Sequence, residues 1–324
     1  MPSQQSVSLP RSAVYFALAC AVLALVRWVD QSIPGVGLWI FIALSLTVGM
    51  GHGALDAVLM LAQFKPYSNV AACALVYLLL VVGCGALLAL SPGWALLALL
   101  AMSVWHFGEL YHPSLANRLV VGGASVMAPM LLSNTALAVL LKPVLGADYS
   151  TTWLVWYWLA VAWAIGTAAW VLWVCLQRLG GRLGRSGRLI GASEQSNATV
   201  SAAIELAAVL ALNMILSPLM AFAVYFGLWH SVSHISRVLR AMARHSSRAK
   251  VSPKRLALAT GLTSLATAAL LWVLWRWLPT GQGVNGLSTM GIQAFWLQWL
   301  VVALAAVTLP HMLLVGYSHR WLGR

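Results

Sequence analysis

The chain has 324 residues, of which 61% are hydrophobic and 8% are charged. A soluble domain carries about 25% charged residues, so the composition excludes a water-soluble fold and predicts a polytopic helical membrane protein. The net charge of +13 lies in the connections between apolar runs, which is typical of membrane orientation and argues against a nucleic-acid partner.

The sequence predicts an all-α bundle of about ten transmembrane helices, since a span needs about 20 apolar residues. The spans are predicted near residues 12–29, 36–62, 70–90, 93–112, 118–141, 152–177, 200–216, 218–244, 256–278 and 290–317. The seventh is short and is separated from the eighth by little more than Pro218, so a count of eight to ten stays open. We expect a single transmembrane domain over 1–324, with a flexible basic cytoplasmic loop at 178–199.

The distribution of basic residues predicts the orientation of the bundle. With ten crossings and both termini in the cytoplasm, 16 of the 19 Lys and Arg residues lie on the inner side. The three on the outer side are Arg27, Lys142 and Arg276. Because cytoplasmic loops carry an excess of Lys and Arg, we expect a multi-pass protein of the cell (inner) membrane.

Five of the eight histidines lie inside predicted spans, where an ionisable side chain is costly and marks function more often than in soluble proteins. They are His52, His106, His230, His234 and His311. On the predicted topology all their helices run from outside to inside, and the rings lie between mid-span and the inner third. The sequence therefore predicts that the five imidazoles meet in the bundle interior.

The spacing of these histidines favours a metal site. His230 and His234 in WHSVSH are four residues apart, so on a helix both rings project from one face and can supply two ligands to one ion. Three glycines, Gly49, Gly51 and Gly53, surround another of the histidines. We expect them to allow close helix approach and to leave room for a ligand.

Two acidic residues accompany the histidines inside the spans. Asp56 follows His52 in GHGALD, and Glu109 follows His106 in WHFGEL. A metal-bound imidazole needs an acceptor for its other ring N–H. Asp56 and Glu109 are the candidates for that role, either directly or through neighbouring helices.

Imidazole ligands suit Zn, Cu, Fe or Ni, and the four cysteines form no C-x-x-C pair. Iron with open coordination positions would suit oxygen chemistry on a lipid-dissolved substrate. A membrane haem or electron-transfer protein with histidine axial ligands stays an alternative, as does a transporter whose histidines relay protons. A histidine-box lipid desaturase needs several HxxxH or HxxHH boxes, and this chain has one.

Aromatic residues next to the histidine motifs are predicted to line a tunnel for an extended apolar ligand. These residues are Trp105, Tyr225, Phe226 and Trp229. The safer interpretation of any one of them is helix packing.

At these motifs the sequence resembles the Brp/Blh family of membrane β-carotene 15,15′-dioxygenases. The resemblance rests on GHGALD at 51–56, WHFGE at 105–109, WHSVSHISR at 229–237 and TLPHMLL at 308–314, which occur in the family's order. It implies cleavage of the central double bond of β-carotene by O2, giving two molecules of all-trans-retinal at a ferrous centre.

The resemblance also implies which residues bind the iron. The Fe2+ ligands would be His52, His106, His230 and His234, and His311 would be a further ligand or a group behind the ligands. β-Carotene would reach the site from the lipid bilayer, and a functional link to a retinal-binding rhodopsin is a further expectation.

Overall fold

The computed structural model describes residues 11–33, 35–64, 67–109, 114–183, 191–245 and 303–317, with single positions at 258, 261, 262, 265 and 269. The helices are α1 (Arg11–Ser32), α2 (Val36–Leu44), α3 (Met50–Gln63), α4 (Tyr67–Leu90), α5 (Pro92–Glu109), α6 (Leu115–Leu132), α7 (Asn134–Leu145), α8 (Tyr149–Leu183), α9 (Gly191–Ile215), α10 (Pro218–Ala223), α11 (Val232–His245) and α12 (Ala303–Tyr317). Two π-helical segments, π1 (Ser45–Gly49) and π2 (Val224–Ser231), join α2 to α3 and α10 to α11. No strand occurs in the described residues, so the all-α prediction is confirmed.

Five segments of the described chain are long and apolar enough to cross a membrane. They are Val36–Leu61, Ser68–Leu87, Leu115–Leu132, Gly146–Arg178 and Ala198–Ile215, and two shorter apolar helices are Pro92–Gly108 and Ala303–Tyr317. The ninth predicted span and the first part of the tenth fall almost wholly outside the described residues. The count of ten and the single domain therefore stay predictions.

The fifth predicted span, 118–141, is two helices in the structure. α6 ends at Leu132 and α7 begins at Asn134, because Ser133 between them has φ −141° and ψ 36°, outside the helical region. Ser133 is the N-cap residue of α7, a position that Ser favours. The apolar run continues through this turn, so hydropathy alone did not indicate it.

Both ends of the loop predicted at 178–199 are helical in the structure, and the flexible loop between them stays a prediction. α8 continues to Leu183 and α9 begins at Gly191, and residues 184–190 between them lie outside the described part of the chain. A 35-residue helix is about 52 Å long, whereas the hydrocarbon core is about 30 Å thick. α8 is therefore longer than the apolar layer is thick.

α9 ends at Ile215 and α10 begins at Pro218, so the seventh and eighth predicted spans lie on separate helices, while two separate crossings stay a prediction. α1 attaches to this break through two charged residues. The carboxylate of Asp30 accepts hydrogen bonds from the backbone N–H (2.7 Å) and hydroxyl (2.8 Å) of Ser217, and Arg27 donates to the carbonyl of Ile215 (2.7 Å). The unpaired backbone groups at a helix start and a helix end are satisfied in this way.

α6 is enclosed by α5, α8 and α9, and every residue from Val120 to Met130 is buried. It runs antiparallel to α5 at very close range. A Cβ added to Gly122 would collide with the backbone of Val104, and one added to Gly108 would collide with the backbone of Arg118. Small residues allow such backbone contact between membrane helices.

Replacing Gly122 with alanine is expected to destabilise the bundle, because the new methyl group meets backbone rather than a flexible side chain. Overpacking of this kind costs about 1–3 kcal/mol, so the Tm in detergent should fall by several degrees. Gly166→Ala on α8 is the matched control, since open space surrounds that position. Equal Tm values for the two variants would contradict the contact between α5 and α6.

Candidate metal centre

Five buried imidazoles from separate parts of the chain converge at one point in the bundle. They are His52 on α3, His106 on α5, His230 on π2, His234 on α11 and His311 on α12, each between 0 and 5% exposed. The ring centroids of contacting pairs lie 4.3 to 6.3 Å apart. The predicted convergence of the five histidines is confirmed.

The ring nitrogens form two groups of three that share His52. One group contains His234 and His311, the other contains His106 and His230, and within each group the candidate ligand atoms lie within 4.8 Å of one another. The Nε2 atoms of His52 and His311 are 2.7 Å apart, and those of His106 and His230 are 3.3 Å apart. Several ring nitrogens therefore face a small common space and could hold a shared metal ion.

Asp56 fixes the orientation of one of these rings. Its carboxylate accepts a hydrogen bond from Nδ1 of His311, with 2.8 Å to Oδ1 and 3.0 Å to Oδ2. The hydroxyl of Tyr77 donates to Oδ2 at 2.8 Å. Because a carboxylate only accepts, Nδ1 of His311 carries the hydrogen, and the lone pair of Nε2 in the neutral ring points toward His52.

The partner of Asp56 is on another helix, which is one of the two arrangements that the sequence left open. Asp56 and His52 lie on one helical face, but that face packs against α12 and α4, which bring His311 and Tyr77 to the carboxylate. The expected acceptor role is therefore seen, through a neighbouring helix. Glu109 ends α5, and its side chain lies outside the described residues, so its role stays a prediction.

The two π-helical segments meet beside the histidines and bring their helices close together. A Cβ at Gly49 would lie 2.8 Å from Cε1 of Phe226, and one at Gly227 would lie 2.9 Å from Cβ of Leu44. Gly49 of π1 thus faces π2, and Gly227 of π2 faces the end of α2, which confirms the close approach predicted at Gly49. π-Helical turns are rare and occur frequently at functional sites.

A cavity of about 490 Å³ adjoins the histidines and has a largely apolar wall. His52, His106 and His311 lie on this wall, and so do Asp56 and Tyr77. The volume falls within the roughly 300–1,000 Å³ of ordinary ligand pockets. The arrangement therefore places a buried nitrogen cluster at the side of a hydrophobic binding site.

The predicted aromatic tunnel needs correction, because only Phe226 of the four residues lines this cavity. Trp105 is 42% exposed, Trp229 is 53% exposed, and Tyr225 is buried in the core against Phe107. Successive helical residues point about 100° apart. Neighbours of a histidine in sequence therefore face lipid or another helix while the imidazole faces the site.

Two cavity residues were not singled out from the sequence. Tyr77 carries a signal that could have been used, because it places a hydroxyl within a span of mean hydropathy 2.5. Trp156, on the cavity wall at 4% exposed, has no such signal, since it is one of several tryptophans in α8.

A profile of the β-carotene 15,15′-dioxygenase family matches residues 43–319, a range that includes all five histidines. The chain belongs to the β-carotene 15,15′-dioxygenase family. The resemblance seen in the four motifs is thereby confirmed, and the chain is a carotenoid dioxygenase. A β-carotene 15,15′-dioxygenase from uncultured marine bacterium 66A03 is 25% identical over 293 residues, which cover 87% of this chain and 94% of that relative. No solved structure matches the chain.

Replacing Asp56 with asparagine is expected to weaken metal binding about 10- to 100-fold, the usual effect of losing the acceptor behind a ligating histidine. The measurement is the metal retained by detergent-purified protein during titration with a chelator. Glu205→Gln is the matched control, because Glu205 is also a buried acid, bonded to Nε1 of Trp229 rather than to a histidine. Wild-type retention by the Asp56 variant would contradict this role.

Proposed function

We propose that this protein cleaves β-carotene at its central 15,15′ double bond with O2, giving two molecules of all-trans-retinal, in an iron-dependent reaction. The observation that carries the proposal is the position of the histidine cluster on the wall of an apolar cavity, in a chain of this family. The reaction balances without a reductant, because the central C=C and O=O bonds break and each aldehyde receives one oxygen atom.

Iron fits the residues of the centre. An all-imidazole set suits Zn, Cu, Fe or Ni, and zinc has no redox chemistry, whereas the family reaction consumes O2. We assign His52, His106, His230 and His234 as ligands, and His311 as a fifth imidazole directed at the same point. When bound, the iron would supply the redox-active centre that reacts with O2.

The protein's own contribution is to hold and orient the groups. The bond between Asp56 and Nδ1 of His311 fixes the tautomer of that ring and directs its Nε2 toward the centre. Neutral ligands leave the full charge of the ion available to polarise a substrate. The apolar wall of the cavity binds the hydrocarbon, excludes water from the reacting bond, and presents one double bond of the polyene to the histidines.

The proposed location and partners follow from the substrate. β-Carotene dissolves in the hydrocarbon layer, so a protein of the cell (inner) membrane, with both termini cytoplasmic and ten spans in a single domain, would meet it there. The retinal formed would return to the same layer, where a retinal-binding rhodopsin is the kind of protein that would use it.

A haem protein is disfavoured by the packing of the centre. A porphyrin held by two axial histidines would need the space between their two rings. Among the described residues, the ring centroids of contacting histidines are only 4.3 to 6.3 Å apart, so the imidazole rings themselves fill that space. The absorption spectrum of the purified protein distinguishes these functions, because a strong Soret band would indicate haem.

Alanine replacement of His52, His106, His230 or His234 is expected to abolish retinal formation and bound iron together. Loss of a ligand should exceed the roughly 10- to 100-fold effect of losing a group behind one, and His52→Ala should be the most severe because both nitrogen groups share that ring. Retinal and iron content are measured after expression in a carotene-producing host.

His245→Ala serves as the matched control, because this histidine lies outside the four motifs. It should retain wild-type iron and activity. Full activity in both the His230→Ala and His234→Ala proteins would remove the proposed function.

A further inference from the structure

The lining of the cavity beside the histidines includes two sets of residues that differ in their burial. One set runs along α5 to Leu96, Leu141 and Trp156, which are all buried. The other runs along α3 to Ala57 and, across a gap, to Ala74 on α4, and both of these alanines are exposed. We call the part of the cavity along α5 the closed arm, because the lining named there is buried, and the part along α3 and α4 the open arm, because the two alanines are exposed among the described residues.

Helix contacts fix the depth of the closed arm. α5 and α8 both run antiparallel to α6, so they are parallel to each other. A Cβ at Gly93 of α5 would touch Thr152 of α8, which puts Leu96 and Trp156 at one level, about a turn further along. His106 is ten residues beyond Leu96, so the arm measures about 15 Å from the histidines to its end at a rise of about 1.5 Å per residue.

We propose that the closed arm selects the double bond that is cleaved, with Trp156 as the residue that stops the substrate. This inference rests on the proposed function. A polyene is rigid and carries many similar double bonds. Neighbouring double bonds differ little in reactivity, so their electronic properties alone would not direct cleavage to one of them. The distance from the end of the closed arm to the histidines is fixed. When the terminal ring of the substrate contacts that end, one particular double bond therefore lies at the histidines.

Trp156 is suited to this role by its environment. Its side chain is 4% exposed, packs against Trp153 with ring centroids 6.1 Å apart, and belongs to the main hydrophobic core. A large ring held in this way is a rigid boundary, because a packed interior resists displacement. Leu96 and Leu141 complete the wall at the same end of the cavity.

Trp156→Ala should deepen the arm and change the products formed from β-carotene. The wild-type protein is expected to give retinal alone, because the two halves of the substrate are equal. The variant should also give unequal pairs of apocarotenals, one longer and one shorter than retinal, whose carbon numbers add up to that of β-carotene. Trp156→Phe should give a smaller proportion of such pairs. Products are identified by liquid chromatography and mass spectrometry.

Trp170→Ala is the matched control, since Trp170 is on the same helix and similarly buried at 6% but does not line the cavity. It should reduce stability while still giving retinal alone. If the alanine variant of Trp156 does not fold, Trp156→Phe decides the question. Retinal as the sole product of every folded Trp156 variant would overturn the inference, whereas a wild-type protein that forms no retinal would instead remove the proposed function.

The open arm supports a second inference, that a carotenoid dissolved in lipid enters between α3 and α4. The residues at this opening are small. Ala57 and Ala74 are exposed and also line the cavity. Within the described part of the chain, no neighbouring element places an atom within 4 Å of a Cβ built on Gly53. The hydrogen bond from Tyr77 to Asp56 joins the two helices at the inner edge of the opening.

Ala74→Trp should obstruct this opening and lower kcat/KM for β-carotene about tenfold or more, while iron content stays at the wild-type level. Ala72→Trp is the matched control, because Ala72 is an exposed alanine of α4 that does not line the cavity. If Ala74→Trp does not fold, Ala57→Leu replaces it. Wild-type kcat/KM in a folded, iron-loaded variant at either alanine would overturn this entrance.

Discussion

The contact between Asp56 and His311 is the interaction on which the centre depends. It joins residues 255 positions apart in the chain, at 2.8 Å, and so ties α3 to α12 deep in the bundle. A carboxylate in a hydrocarbon layer is costly unless its oxygens are paired, and here the imidazole N–H and the hydroxyl of Tyr77 pair them. The same contact that makes the buried acid tolerable also directs a ring nitrogen at the common space.

The surrounding helices provide a rigid frame and a space beside it. α5 and α6 touch backbone to backbone at Gly108 and Gly122, while π2 approaches π1 at Gly49 and the end of α2 at Gly227. These close approaches hold the histidines of α3, α5 and π2 at short range. Larger side chains on α7 and α8 stand further from the histidines and bound the cavity. Small residues thus allow the histidines to converge, and bulky residues shape the volume next to them.

The separation of polar and apolar residues on the cavity wall suits a reaction on a hydrocarbon. The polar groups are concentrated at one point of the cavity wall, and the remainder of the wall is mainly apolar. A polyene gains little from hydrogen bonds, so shape must select its position. The membrane also removes the need for a water-filled route, because the substrate is already dissolved in the medium that surrounds the helices.

The sequence by itself determined the class of fold, the five histidines and the family, because lipid burial makes each polar residue in a span conspicuous. It also placed Asp56 near the centre, since that carboxylate shares a span with His52. Only the tertiary structure decided that Asp56 holds His311, that Tyr77 and Trp156 border the cavity, and that Trp105 and Trp229 do not. Apolar and aromatic residues look alike along every span, and their direction depends on how neighbouring helices pack. The turn at Ser133 was hidden for the same reason, because a continuous hydrophobic run does not indicate where the chain changes direction.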